Sequence, residues 1–186
     1  MNFATTLPEL HAAMEACEQA PGLNMLQHGQ AVHAHYRWLL DQVTQYPEAH
    51  PILAQVLARF SAPAPEALER YHVYHDCGKH LVQTVNAEGK RQFPGHAQAS
   101  AQQFALLFPE DTLTRRLIER DMDFHTLRGD DLLALCQDPL APILYVTAWA
   151  EVYANAAMFG GLQSDSFKIK AKRLTQAGKK LLTFTA

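Results

Sequence analysis

Apolar residues recur every three or four positions along almost the whole chain, the spacing that places them on one face of an α-helix. The predicted helices are Leu7–Cys17, Leu26–Val43, Ile52–Phe60, one from Pro65 that ends near Gly78, His96–Phe108, Thr112–His125, Asp130–Gln137, Pro142–Phe159 and Ser166–Leu182. No internal repeat or long linker separates them. The sequence therefore predicts an all-α fold, a helical bundle in one domain of residues 1–186.

One stretch, Val82–Phe93, lacks the helical pattern because Asn and Gly residues interrupt it. We predict a loop there that can hold a short hairpin. Near the C-terminus, Gly160-Gly161 separates the last two helices, and either Ser164 or Asp165 would cap the final one.

The composition excludes several classes of protein. Sixteen Lys and Arg against nineteen Asp and Glu give a net charge of −3, so we expect no extensive nucleic-acid surface. Cys17, Cys77 and Cys136 form no CxxC pair, which disfavours a disulfide scaffold and a thiolate zinc site. No apolar run approaches the ~18 residues of a membrane span. Without a signal-peptide pattern either, we expect a cytoplasmic protein with no membrane contact.

Histidine is unusually frequent, with ten residues against seven lysines. It is the commonest metal ligand in proteins. The strongest local signal is His75-Asp76, followed by Gly78 and Lys79, at the predicted end of a helix. A neutral imidazole beside a carboxylate suits Mg, Mn, Fe or Zn in a mixed nitrogen and oxygen site. Because a His-Asp dipeptide alone is common, the residues around it decide how strongly it indicates a metal site.

Further potential ligands lie on other predicted helices. His28 is near the start of the long second helix, and His96 opens the helix that follows the irregular stretch. Asp121 and His125 are four residues apart and would share one helix face. Glu151 lies in the middle of a very apolar helix, where a carboxylate needs a partner.

In this order, the residues resemble the HD-domain superfamily of metal-dependent phosphohydrolases. Two segments carry the resemblance, YHDCGK at 74–79 and EGKRQFPGH at 88–96. They are similar to the HDxGK motif and the following G-x-x-x-F-x-x-H element in the HD domain of bacterial CCA-adding tRNA nucleotidyltransferases. The resemblance covers a motif-bearing core of residues 26–155 and leaves a C-terminal helical extension of residues 160–186.

The resemblance implies an all-α fold with one or two divalent metal ions, and leaves Mn, Mg, Fe, Ni, Co and Zn open. The implied ligands are His28, His75, Asp76 and Glu151 for one metal, and His96 and His125 for a second, with Asp76 bridging. Relatives usually carry aspartate where this chain has Glu151, so Asp121 and Asp123 stay open as alternatives.

Two cations near the motif are candidates for substrate contacts, judged by charge and position. Lys79 follows the ligands within one turn, and Arg91 lies on the irregular stretch. Both could bind a substrate phosphate, and Asp76 and Lys79 are the candidate catalytic residues. The basic run Lys168–Arg173 is more typical of a solvated helix face.

The activity predicted is hydrolysis of a phosphoester in a nucleotide, a cyclic nucleotide or an RNA end by a metal-activated water. The expected partner is therefore a small nucleotide or an RNA-end phosphate. Two alternatives stay open. HD-type diiron oxygenases have a similar ligand order and use O₂ to cleave a carbon bond, and a non-catalytic HD module could keep a vestigial site. Oligomeric state is not readable from the sequence.

Overall fold

The computed structural model describes residues 2–60 and 62–184, and these are mostly helical. The helices are α1 (Leu7–Ala16), α2 (Met25–Gln45), α3 (Pro51–Leu57), α4 (Pro65–Tyr74), α5 (Lys79–Val82), α6 (His96–Leu107), α7 (Thr112–Glu119), α8 (Asp123–Thr126), α9 (Gly129–Cys136), α10 (Ala141–Ala154) and α11 (Asp165–Phe184). Single 3₁₀ turns occupy Pro47–Ala49 and Ala156–Phe159. The predicted all-α fold is confirmed.

Two small antiparallel hairpins accompany the helices. In the first, β1 (Glu18–Ala20) pairs with β2 (Leu23–Asn24). The second pairs β3 (Thr84–Val85) with β4 (Arg91–Gln92), which confirms a hairpin in the irregular stretch.

The chain divides into two compact units. The first comprises residues 2–31 and 66–121, and the second comprises residues 32–60, 62–65 and 122–184. Helix α2 begins in the first unit and ends in the second. The single domain over residues 1–186 stays a prediction.

An aromatic cluster organises the first unit. Phe104 on α6 stacks on Phe108 with ring centroids 4.7 Å apart, and both rings contact Tyr74 at the end of α4. The Tyr74 hydroxyl also forms a 2.9 Å hydrogen bond with His11 on α1. These contacts fix the end of α4, and the HDxGK motif begins directly after it, at His75.

Helix α10 is the centre of the second unit and is buried over nearly its whole length. It packs closely on α11, since a Cβ added at Gly178 would lie 2.2 Å from the Tyr145 hydroxyl oxygen. Among the described residues no single helix is long and apolar enough to span a membrane. Helices α9 and α10 reach that length only together, across a bend of 115°.

The predicted helix Thr112–His125 is broken between α7 and α8. The prediction that Asp121 and His125 share one helix face is therefore wrong. The N–H groups of Arg120 and Asp121 bond to carbonyls three residues back, which tightens the last turn of α7. The Asp121 carboxylate then accepts a 2.7 Å hydrogen bond from the Tyr71 hydroxyl on α4. A residue distant in the sequence therefore holds Asp121 just beyond the end of α7.

Other boundaries differ by a few residues. The helix from Pro65 ends at Tyr74 rather than near Gly78, and the one predicted to reach Phe159 ends at Ala154. Ser164, one of the two candidate caps, accepts a 3.1 Å hydrogen bond from the Phe167 N–H and so caps α11.

Candidate metal centre

Three potential metal ligands converge in the first unit. His28 lies on α2, while His75 and Asp76 form the turn that follows α4. One potential ligand atom from each lies within 4.8 Å of the other two, and all three residues are buried. Buried groups of this composition could hold a metal ion.

Two glycines bring the backbones close enough for this convergence. A Cβ at Gly29 would lie 2.3 Å from the Val73 carbonyl oxygen, so α2 and α4 approach at a point where only glycine fits. A Cβ at Gly78 would lie 2.3 Å from the Ser100 backbone nitrogen, and the Gly78 N–H donates to the Ser100 hydroxyl at 2.9 Å. The glycine of the HDxGK motif therefore places the motif against α6, which begins with His96.

Hydrogen bonds to the backbone fix two of the imidazoles. His75 Nδ1 lies 2.8 Å from the His72 carbonyl oxygen, and His96 Nδ1 lies 2.9 Å from that of Phe93. Because a carbonyl oxygen only accepts, each Nδ1 carries a proton, so in the neutral ring the lone pair is on Nε2. Those Nε2 atoms face the Asp76 carboxylate, at 3.2 Å for His75 and 3.6 Å for His96.

This arrangement favours a cation. A neutral imidazole nitrogen and a carboxylate oxygen are both acceptors, so they need a proton or a metal ion between them. Metal-binding histidines commonly donate their other ring N–H to a carbonyl or carboxylate, as His75 and His96 do. Burial lowers the pKa of His96 although Asp76 opposes the shift, and this favours the neutral ring that a metal requires.

The Asp76 carboxylate presents its two oxygens to different neighbours. Oδ2 lies 3.5 Å from His28 Nε2 and 3.2 Å from His75 Nε2, whereas Oδ1 faces His96. Burial alone would raise the pKa of Asp76, but its interactions with His75 and Lys79 outweigh the effect of burial and hold that pKa well below its usual range. Asp76 is thus an ionised carboxylate with one oxygen on each side of the cluster.

Lys79 is held inside the cluster. Its ammonium donates to Asp76 Oδ2 at 2.6 Å and to Gln19 Oε1 at 2.9 Å, and it lies 5.2 Å from the centre of the Phe93 ring. The Lys79 side chain is 9 % exposed. Its immediate contact is with the carboxylate, and its predicted contact with a substrate phosphate stays a prediction.

Arg91 lies at the surface on β4, where its guanidinium pairs with the Glu18 carboxylate of β1 at 2.6 Å. Both side chains are partly exposed. The ion pair ties the two hairpins together, and the predicted role of Arg91 in substrate binding stays a prediction.

Two further residues of the first unit, Asp121 and Tyr71, lie next to the cluster. A nitrogen of His75 and a carboxylate oxygen of Asp121 lie within 4.8 Å of each other, and Tyr71 donates its hydroxyl to Asp121 at 2.7 Å. Asp121 is one of the alternative acids, whereas Tyr71 and Gln19 are not among the predicted site residues. The available signal was that Tyr71 precedes His75 by one helical turn.

His125 and Glu151 form a pair within the second unit. His125 Nε2 on α8 lies 3.0 Å from Glu151 Oε2 on α10. Glu151 is buried and Asp123, at the start of α8, is half-buried. Metal ligation by His125 and Glu151 stays a prediction.

Cys77, within the motif, is not placed to act as a nucleophile. It is fully buried, and its thiol donates to the Ser100 carbonyl oxygen at 3.4 Å. Burial raises the pKa of Cys77 far above its ordinary value, so the reactive thiolate is suppressed.

Comparisons with known proteins add no relative. The chain matches no protein-family model, no curated protein and no solved structure. The resemblance to HD domains therefore rests on the residues named above.

Proposed function

We propose that the chain is an HD-type metal-dependent phosphohydrolase that cleaves a phosphoester of a nucleotide, a cyclic nucleotide or an RNA end. The observation that supports this most is the pair of imidazoles, His75 and His96, whose Nε2 lone pairs face the two oxygens of Asp76. Imidazole and carboxylate donors without a thiolate fit a divalent ion such as Mn, Fe, Co, Ni or Zn, with Mg the weaker match.

A divalent ion would supply a water of lowered pKa and neutralise charge on a phosphoryl oxygen. The residues of the chain prepare that chemistry. Backbone carbonyls hold the Nδ1 protons of His75 and His96, so in the neutral rings Nε2 is the nitrogen that can bind a metal ion. Asp76 reaches to both sides with its two oxygens, and Lys79 holds one of them in place. Burial of His28, His75 and Asp76 excludes bulk water and strengthens every charge interaction in the cluster.

The test is phosphate release from a panel of nucleotides, cyclic nucleotides and 3′- or 5′-phosphorylated RNA with Mn²⁺, Mg²⁺, Ni²⁺ or Co²⁺. The Asp76→Ala variant should lose both metal binding and turnover because the central carboxylate is gone. Asp111→Ala is the matched control, since Asp111 lies in the same unit and pairs with Arg70 instead. Turnover by Asp76→Ala, or no phosphate release by the metal-loaded wild type, would refute the proposal.

A further inference from the structure

Gln19 is the extra residue of a β-bulge in the β1–β2 hairpin of the first unit. From Glu18 to Ala20 the strand β1 advances by two residues while its partner β2 advances by one. Bulges of this kind re-aim a side chain and are frequent next to functional sites. Here the Gln19 amide oxygen accepts a 2.9 Å hydrogen bond from the Lys79 ammonium. The bulged residue therefore meets the lysine that contacts Asp76.

The Lys79 ammonium divides its hydrogen bonds between a charged and a neutral acceptor. Asp76 Oδ2 is the charged acceptor, at 2.6 Å, and Gln19 Oε1 is the neutral one. Among the described residues these two are its only hydrogen-bond acceptors, and the centre of the Phe93 ring lies 5.2 Å away. An ammonium has three protons to donate, and burial of this side chain limits its contact with water. Lys79 therefore depends on both acceptors.

The oxygen that Lys79 contacts is also the one that faces two of the histidines. Asp76 Oδ2 lies 3.5 Å from His28 Nε2 and 3.2 Å from His75 Nε2. A metal ion held by these residues and the Lys79 ammonium would both draw on the charge of this one oxygen. Because like charges repel more strongly in a buried site than in water, the share of Lys79 that Asp76 holds affects the metal affinity.

Other contacts keep the hairpin, and with it Gln19, in place. The Cys17 carbonyl oxygen, at the start of the hairpin, accepts a 2.9 Å hydrogen bond from the Met25 N–H at the start of α2. Glu18, next to the bulge, pairs with Arg91 of β4 at 2.6 Å. The hairpin therefore cannot carry Gln19 away from Lys79 without breaking other contacts.

We propose that Gln19 is a positioning residue of the metal centre. Its neutral oxygen holds the Lys79 ammonium between two acceptors, so that Lys79 orients the Asp76 carboxylate without taking up its whole charge. The residue at position 19 thereby sets the affinity of the centre for a divalent ion. The inference rests on the proposed function for the presence of that ion.

Titration calorimetry of the full chain with Mn²⁺ tests the proposal through two substitutions with opposite expected effects. Gln19→Met keeps the length of the side chain but removes the acceptor, so Lys79 pairs with Asp76 alone and Mn²⁺ affinity should fall about tenfold. Gln19→Glu gives Lys79 a second carboxylate, which frees charge on Asp76, and affinity should rise about tenfold. Gln102→Glu is the matched control, because it adds the same charge at an exposed position of α6 and should change affinity less than about twofold.

A double-mutant cycle tests whether Gln19 acts through Lys79. In the Lys79→Met background, Gln19→Met should change Mn²⁺ affinity by less than about twofold, since the group that it holds is gone. A full loss in that background would overturn the inference. So would a fall in affinity in both Gln19 variants, which is the result of a merely structural role, or an unchanged affinity in both.

Metal binding and turnover separate this inference from the proposed function. If Mn²⁺ affinity falls in Gln19→Met and rises in Gln19→Glu but no ester is hydrolysed, the proposed function fails and the positioning role stands. If esters are hydrolysed while both variants bind Mn²⁺ as the wild type does, the positioning role fails and the proposed function stands.

Discussion

Replacing Gly29 by alanine should open the metal centre without altering any of its ligands. The added Cβ would lie 2.3 Å from the Val73 carbonyl oxygen and 2.8 Å from its carbonyl carbon. Relieving the shorter contact to 3.0 Å requires the two backbones to separate by about 0.7 Å. His28 lies on one of these helices, and His75 directly follows the other, so the separation acts on the ligands themselves.

The expected loss of metal affinity follows from the narrow range of distances that a metal site tolerates. Metal–ligand distances vary by only about 0.2 Å, so a shift of about 0.7 Å between His28 and His75 should weaken metal binding at least tenfold, as loss of a supporting contact does. Overpacking should also lower the free energy of unfolding by about 1–3 kcal/mol. The better helix propensity of alanine returns at most about 1 kcal/mol.

Titration calorimetry with Mn²⁺ and urea denaturation measure the two effects. Gln30→Ala is the control, because it changes the next residue of the same helix at an exposed position and should preserve both quantities. Wild-type Mn²⁺ affinity in Gly29→Ala would refute the argument that the close helix contact positions His28.

The remaining predictions concern the neighbours of the centre. Lys79→Met should lower the free energy of unfolding in EDTA by about 3–5 kcal/mol, because buried Asp76 loses its partner, and Mn²⁺ should reduce that deficit; a loss under about 1 kcal/mol would contradict it. Glu18→Gln breaks an exposed ion pair and should change stability by less than about 1 kcal/mol in thermal unfolding. If Arg91 binds substrate phosphate, Arg91→Gln raises KM while Glu18→Gln does not, and equal KM values would remove Arg91 from the site. Iodoacetamide at pH 8 should leave Cys77 unmodified in the folded protein, as mass spectrometry would detect; rapid alkylation would contradict its burial.

Local signals accounted for much of the fold and for the core of the candidate site. Helical spacing of apolar residues is set within a few turns, so the long helices were predictable. The HDxGK segment is equally local, because His75 and Asp76 are adjacent and Gly78 serves the same turn. Their convergence with His28 and His96 is what the resemblance implies. In the structure, Gly29 lets α2 approach α4 closely, and His96 Nε2 lies 3.6 Å from Asp76 Oδ1.

Features that depend on distant partners were not predictable from the pattern. The apolar spacing continues through Asp121, but α7 ends at Glu119 and the Asp121 carboxylate bonds to Tyr71, 50 residues away. Lys79 likewise bonds to Gln19, 60 residues away, so its burial beside the carboxylate has no local signal. The β1–β2 hairpin has no clear signal in the sequence, because Glu18 and Ala20 have weak strand propensity.

The metal content of the purified protein tests the central claim most directly. Mass spectrometry of the elements should find at least one divalent metal ion per chain in the wild type after loading and dialysis. Asp76→Asn keeps the shape of the side chain but removes its charge, and should retain none while its circular dichroism stays unchanged. A wild type that retains no metal, or an Asp76→Asn variant that retains as much as the wild type, would contradict the account.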